Sequence, residues 1–573
     1  MASFDKLPVL EWSGMPRRLL NILALLLLVR FGLFLYSGWR VRMRFRKLQN
    51  EGIVITPEHS LVFGHLMLLK RIRDLYPKDS ASTYATRHIV MNWRDYFPES
   101  TTCPSVIYLD FWPFSSEPIA IINDPAMCQM VTADRFPIRH DQGKYLARLM
   151  SGPRNLFAFD GEEHKKWRAR LNPGFSTRNL QSHIAGGKIV DEVLIFAERM
   201  KKNAGADGQL GDVFQLFPMA VDLTFDIICR IVLDFSPGEQ LNGPTEMQKA
   251  FRIISQHLVF KSWASLHKRL NPFWQLDLWK CHRTLRRVLL PHIQKHIRGH
   301  SLVKNSASQK TVLDLALKEI ELESPGAEPS GQFIEDVVGL TKQFIFAGHD
   351  TTAVNMSFAY HFLNKSPDAL TRLRDEHNRI FGPDPRKAAE ILRQSPHLLS
   401  SLPFTTAVVK ETLRLCPVAA SIRQGHPGYS LRSNDGVEYP MGGFIVVTGV
   451  ACLQFSSEMF ARPTDFLPER WIAPPGDPLH IGDGAKYAWR PFEWGPMSCI
   501  GMELAMVELK MALVLTVREI EVVTALEDWD RLQGTDSDMR PTLFGDKIFQ
   551  AAVGLGPPTE GLPVRTRILR QQP

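Results

Sequence analysis

A single cysteine, Cys499, stands in the run Phe492-Glu493-Trp494-Gly495-Pro496-Met497-Ser498-Cys499-Ile500-Gly501. Such a setting can present one thiolate to a metal ion. Gly495 and Gly501 leave out side chains where the backbone turns tightly or nears a flat ligand. Pro496 stiffens the turn. The stretch from Met502 to Val514 is rich in helix formers, so Cys499 is expected near a helix N-terminus, whose dipole favours the charged sulfur. A buried, inert thiol is the commonest fate of a free cysteine, so this loop alone decides nothing.

Three further groups could do chemistry. Gln332 to Phe362 reads as one long helix, apolar on several faces and therefore buried. Inside it lies Ala347-Gly348-His349-Asp350-Thr351-Thr352, poor helix chemistry of the kind expected at a functional site. A threonine hydroxyl turned inward there opens a notch in the backbone ladder where dioxygen and water can bind. His349 has no second ligand in spacing and reads as structural. Glu411-Thr412-Leu413-Arg414 sets an acid and a base on one helix face at i and i+3. Most such pairs are surface contacts of little worth, but apolar flanks point to burial, where the pair needs more partners. His164 and Arg168 share a helix face at i and i+4, either as exposed cations or as ligands for carboxylates.

The elements that must position these residues are mainly helical from about 160 to 420, with breaks at Pro237-Gly238, Ser324-Pro325-Gly326 and Phe381-Gly382-Pro383. A hairpin is expected between about 100 and 135, and short strands at Gly443 to Val450 and Lys547 to Val553. Lys304 to Ser330 reads as a polar surface loop. The expected fold class is mainly α with small β-sheets. The expected division is residues 1–50 as an N-terminal anchor with its basic flank and residues 51–573 as one catalytic domain.

The net charge is +8. Arg17, Arg18, Arg30, Arg40, Arg42, Arg44, Arg46 and Lys47 account for all of it, with no acid between them. The charge therefore belongs to one segment, not to a nucleic-acid-binding face. That segment flanks the apolar run Leu19 to Trp39, about the length that crosses a bilayer. Arg30 interrupts the run at a cost of about 3 kcal/mol or less if it snorkels. The apolar run is followed by no small-residue cleavage site, which favours a signal anchor. More positive charge follows the run than precedes it, so the bulk of the protein is expected in the cytoplasm. The other reading is a buried helix of the globular body. The seven cysteines lack paired spacing, which fits a reducing compartment.

The cysteine loop resembles the haem-binding loop of cytochromes P-450, Phe-x-x-Gly-x-Arg-x-Cys-x-Gly. Phe492, Gly495, Cys499 and Gly501 fall in register, while Met497 stands where the family has the arginine that contacts a haem propionate. The Ala347–Thr352 segment is similar to the family's distal-helix motif. Glu411 and Arg414 match its E-x-x-R, and Phe466-Leu467-Pro468-Glu469-Arg470-Trp471 resembles its Pro-Glu-Arg-Phe. The motifs occur in family order, and the likeness runs from near Pro57 to the C-terminus, closest to the microsomal, fungal-type branch.

The resemblance implies haem b with Cys499 as axial ligand, shielded by Phe492. Thr351 would hydrogen-bond dioxygen and Asp350 would relay protons. His164, Arg168 and Arg423 would hold the haem carboxylates, and Arg470 would complete a structural network with Glu411 and Arg414. It further implies a pocket of Phe344, Ala347, Gly348, Val418, Ala419, Ala420, Ser421 and the turn from Val553. The implied activity is monooxygenation of a lipophilic substrate in secondary-metabolite biosynthesis. Electrons would come from NADPH through a cytochrome P-450 reductase, with cytochrome b5 as a further donor. The implied location is the endoplasmic reticulum membrane. Two other classes stay open: a haem-binding relative with little turnover, motivated by Met497, and an isomerase or dehydratase that needs no dioxygen.

Overall fold

The computed structural model describes residues 17–570, apart from 57, 116, 134–137, 258–272, 303–309, 316 and 318–329. Helices make up most of it, with three small sheets, as the sequence led us to expect. The central element is the helix Gly331–Lys365, three residues longer at its C-terminal end than the sequence pattern suggests. Ser330 caps it by accepting the Phe333 N–H. Its long buried stretch packs along the helix Leu216–Leu233, which is itself apolar nearly all round. Gly348 makes that approach possible, because a Cβ there would sit 2.7 Å from Ile228 Cγ1. These two helices anchor one large apolar core.

A second core lies under a four-stranded sheet. The expected hairpin is present: Val106–Leu109 runs antiparallel to Ile119–Ile122. The latter pairs in parallel with Ile445–Thr448, inside the predicted 443–450 segment. Ile445–Thr448 in turn pairs with Ile422–Gln424, setting Arg423 opposite Val446 with its side chain inward. The helix breaks at Pro237-Gly238 and at Phe381-Gly382 are also observed.

Two expectations fare otherwise. Lys547 to Val553 is not a strand; it makes only isolated bridges, Ala551 to Ser80 and Gln550 to Pro558. The C-terminal strands are Ile520–Thr524 and Pro563–Ile568, which pair antiparallel. Most of the Lys304–Ser330 loop, including the break at Ser324-Pro325-Gly326, lies outside the described residues.

The helix Arg17–Asn50 is one continuous rod of two characters. Leu19 to Tyr36 is almost wholly exposed, and the helix is long and apolar enough to cross a membrane. From Ser37 onward it joins the body. Val41, Phe45 and Leu48 are buried in the same core as the sheet residues Val106 and Val446.

Candidate functional site

Cys499 sits on a clamped loop just before the helix Met502–Thr516. Its N–H donates to Phe492 O at 2.8 Å, and Ser498 N–H donates to Gly495 O at 3.0 Å. Gly495 has φ +81°, and a Cβ there would meet Thr132 O at 2.1 Å, so only glycine fits. Buried Arg490 braces the loop through Glu493 at 2.7 Å and the Thr132 hydroxyl at 3.0 Å. Among the seven cysteines Cys499 alone is exposed. Its thiol is nevertheless pushed up by burial, more than the Gly501 N–H and Arg168 pull it down. The loop's own groups thus do not outweigh burial to favour the thiolate. A bound cation would, since a coordinated thiol is deprotonated outright.

Four basic side chains gather on the helix Gly161–Leu171 and the sheet edge beside it. Arg168 donates to Ser498 O at 2.6 Å, which ties this helix to the cysteine loop. Arg139 bridges the backbone of Arg423, and its guanidinium is pushed down to about 9 by burial, then by Arg423 and Arg168. His164 is pushed down to about 4 by burial, then by Arg139 and Arg168. Arg423 is likewise lowered, first by burial. His164 Nε2 and Arg423 Nε are buried with no hydrogen-bond partner among the described residues. Buried donors without partners, and cations that repel one another, call for an anion. Sequence reasoning missed Arg139, whose neighbours gave no helical spacing to flag it.

On the other side, Thr351 Oγ1 donates to Ala347 O at 2.8 Å, back-bonding its own helix. Ala347, Gly348, Asp350 and Thr351 are partly accessible within an otherwise buried stretch, as they would be where the helix borders a cavity. Asp350 Oδ2 accepts from Ser255 on the helix Glu246–His257 at 2.9 Å; sequence reasoning missed this residue as well. Phe344 is buried against Phe175, with ring centroids 5.3 Å apart. Ala419 and Ala420 are exposed, Val418 and Ser421 partly so, in the turn between the helix Pro403–Leu415 and the strand of Arg423. Val553 is exposed.

Glu411, Arg414 and Arg470 meet with no exposed side-chain surface. Arg414 forks onto both oxygens of Glu411 at 2.8 and 2.9 Å, and Arg470 Nε reaches Oε1 at 3.0 Å. Trp471 Nε1 and Leu467 N–H also donate to Glu411, each at 3.0 Å. The spare donors of Arg414 go to Gln454 O and Pro463 O, and those of Arg470 to Ala461 O. A buried carboxylate so fully paired is the tolerable case.

This donor set fits a haem. Cys499 offers one soft ligand, Arg139, Arg168 and Arg423 offer positive potential for two carboxylates, and His164 offers an unpartnered ring nitrogen. The notched helix offers small residues for a flat face.

Comparison with known proteins agrees. The family model described as Cytochrome P450 matches residues 111–539. The chain is 30% identical over 563 residues to cytochrome P450 monooxygenase polC of Polytolypa hystricis, covering 96% of this chain and 95% of that one. It is 29% identical to cytochrome P450 monooxygenase acrF of Aspergillus aculeatus, over 80% of this chain and 92% of that one. With cytochrome P450 monooxygenase ptmG of Penicillium ochrochloron it shares 25% identity, over 92% and 91% of the two chains.

Proposed function

The chain belongs to the cytochrome P450 family, and from that premise we propose that it is a membrane-anchored haem-thiolate monooxygenase. It inserts one oxygen atom of O2 into a lipophilic organic substrate, by hydroxylation or epoxidation, in the biosynthesis of a secondary metabolite. The observation that carries this reading is the accessible Cys499 beside a cluster of cations whose buried donors lack partners. The relatives named above are fungal monooxygenases, which supports the reaction class and the metabolic setting.

Haem held by a cysteine supplies the activation of dioxygen, one atom going to substrate and the other to water with two electrons and two protons. The protein's own residues do the rest. Arg139, His164, Arg168 and Arg423 would hold the haem carboxylates. Phe492 and the N–H of Gly501 shelter the sulfur. Thr351 and Asp350 hold and pass protons at the notch in the long helix. The small side chains of Ala347, Gly348, Ala419 and Ala420 leave room for a bulky lipophile. Phe344, Val418, Ser421 and the turn from Val553 complete its walls.

Electrons come from NADPH through a membrane-bound cytochrome P-450 reductase, with cytochrome b5 as an added donor. The anchor places the protein in the endoplasmic reticulum with its body in the cytosol, as the charge distribution around Leu19–Tyr36 supports. The test is the ferrous–CO spectrum. The full chain should give a strongly red-shifted Soret band, and Cys499→Ala should abolish it; an unchanged band in that variant overturns the assignment.

A further inference from the structure

Gln550 is buried, and both its backbone and its amide are engaged. Its N–H donates to the Tyr84 hydroxyl at 3.1 Å, and its carbonyl accepts the Ala81 N–H at 2.9 Å. These bonds pin the backbone to the start of the helix Thr83–Met91. The side-chain oxygen accepts from Arg87 Nη2 at 3.0 Å, and the side-chain nitrogen donates to Pro417 O at 3.3 Å. Arg87 can only donate and a proline carbonyl can only accept, so the amide has one orientation. Arg87 itself is buried, with its guanidinium over the rings of Tyr84 and Phe455 at 4.5 and 4.3 Å from their centroids. Among the described residues it pairs with no carboxylate, so the Gln550 oxygen takes a charge-assisted hydrogen bond.

That amide stands between two turns. Pro417 begins the turn 417–421, which leads from the helix Pro403–Leu415 to the strand Ile422–Gln424. On the other side a Cβ on Gly556 would lie 3.2 Å from Gln550 Nε2. Gly556, at φ +83°, closes the turn from Val553 by donating its N–H to Val553 O at 3.0 Å. Ala551 N–H closes the base of the same turn onto Pro557 O at 2.8 Å. Both turns are walls of the lipophile pocket described above. We propose that Gln550 is a positioning residue that sets the spacing of these two walls, and with it the width of substrate that the pocket accepts. It acts from behind the walls and touches no substrate.

The inference rests on the function proposed above, so one arm of its test needs neither haem nor turnover. Two substitutions of nearly the same size separate the two amide bonds. In Gln550→Glu, Arg87 keeps the new carboxylate ionised and holds one oxygen. The other oxygen then faces Pro417 O, two acceptors repel, and the turn 417–421 is pushed away. In Gln550→Leu both bonds are lost. Amide hydrogen exchange in the full-length protein reads the result. Gln550→Glu should raise exchange in 418–421 and leave 551–557 as in the wild type, whereas Gln550→Leu should raise it in both. Pocket width is read by spectral titration of the haem-loaded protein with two iron-ligating azoles, imidazole and the much bulkier clotrimazole. Both variants should bind imidazole as the wild type does. The ratio of clotrimazole to imidazole Kd should fall by roughly 10-fold, the scale of a small change in an apolar pocket, because a wider pocket admits the larger ligand. A ratio that is unchanged or rises, or a Gln550→Glu variant that loosens neither turn or both, overturns the proposal. Failure of both variants to fold also overturns it, because Gln550 would then serve the core alone. A wild-type protein that takes up no haem while the exchange pattern holds overturns only the haem-thiolate reading.

Discussion

Four basic groups packed together, with Asp160 and Glu493 offsetting only part of their repulsion, cost free energy that an anion would relieve. Burial first, and then the neighbouring cations, hold Arg139 down to about 9 and His164 down to about 4. A group with two carboxylates turns the repulsion into attraction. Arg423→Met should therefore weaken haem retention while leaving the haem-free protein no less stable, because one repelling charge is gone. A hydrogen bond to a charged group contributes about 1.5–3 kcal/mol, so haem dissociation should tighten or loosen by roughly 10- to 150-fold per contact, here loosening. Haem transfer to apomyoglobin measures it, and melting of the haem-free variant is the control. Equal losses in both forms would mean that Arg423 is merely structural. At this scale the sequence was legible where residues lie close along one helix or loop: Cys499 between its glycines, Asp350 beside Thr351, Glu411 three residues from Arg414. Arg139 and Ser255 were not. Ser255 finds Asp350 across 95 residues of chain, and no periodicity encodes such a meeting.

Elements are locked to one another by the Glu411 network. Glu411 belongs to the helix Pro403–Leu415, while Arg470 belongs to the short turn Pro468–Trp471. Burial pushes the carboxyl up, but Arg414 and Arg470 together with the Leu467 N–H outweigh it, and its pKa ends below the usual glutamate value. A depressed folded-state pKa gives stability that is fully present above the unfolded value of about 4.3 and is lost as pH falls through the folded pKa. Acid should thus destabilise the wild-type protein below about pH 4 more steeply than Glu411→Gln. Denaturant unfolding at pH 7 and below pH 4 compares the two slopes; parallel slopes would remove Glu411 from the acid response. At neutral pH, Arg470→Met should cost about 3–5 kcal/mol, the usual penalty for breaking a buried pair. The strand error at Lys547 to Val553 has a physical cause on this scale. A short apolar run looks alike whether it forms a ladder or plugs a core. Ile548 and Phe549 are buried, but Gly545 and Gly554, at φ +78° and +52°, bend the chain at both ends. The true strand Pro563–Ile568 follows a proline-rich turn and carries half-buried Arg565 and exposed Arg567 among its apolar residues, which hid its alternation.

At the scale of the whole molecule, the N-terminal helix is long and apolar enough to cross a membrane and is also a core element. Its 34 residues would span about 51 Å at 1.5 Å per residue, far more than the roughly 30 Å hydrocarbon layer. The exposed part from Leu19 to Tyr36 spans about 27 Å, close to that thickness and within the range of helix lengths that cross a bilayer. Below it the helix is fastened to the body. Trp112 Nε1 donates to Ser37 Oγ at 3.0 Å, and buried Arg42 pairs with buried Asp110. Arg42 also donates to Leu61 O at 3.2 Å and Val62 O at 3.1 Å. No free linker separates anchor from body, so the boundary expected at residue 50 falls inside the fold, and we place it near Ser37. Two truncations distinguish these positions. Removing residues 1–36 should yield a protein that no longer pellets with membranes after alkaline washing yet melts cooperatively and keeps its red-shifted CO band. Removing residues 1–50 also strips Val41, Phe45 and Leu48 from the core, where each buried side chain contributes about 1.5–3 kcal/mol. It leaves Asp110 as a buried charge without Arg42, at a further cost of about 3–5 kcal/mol. Together these losses match the whole margin of a typical fold, so the longer truncation should aggregate or fail to melt cooperatively. A stable, haem-loaded protein starting at residue 51 would return the boundary to residue 50 and make the lower half of the helix dispensable.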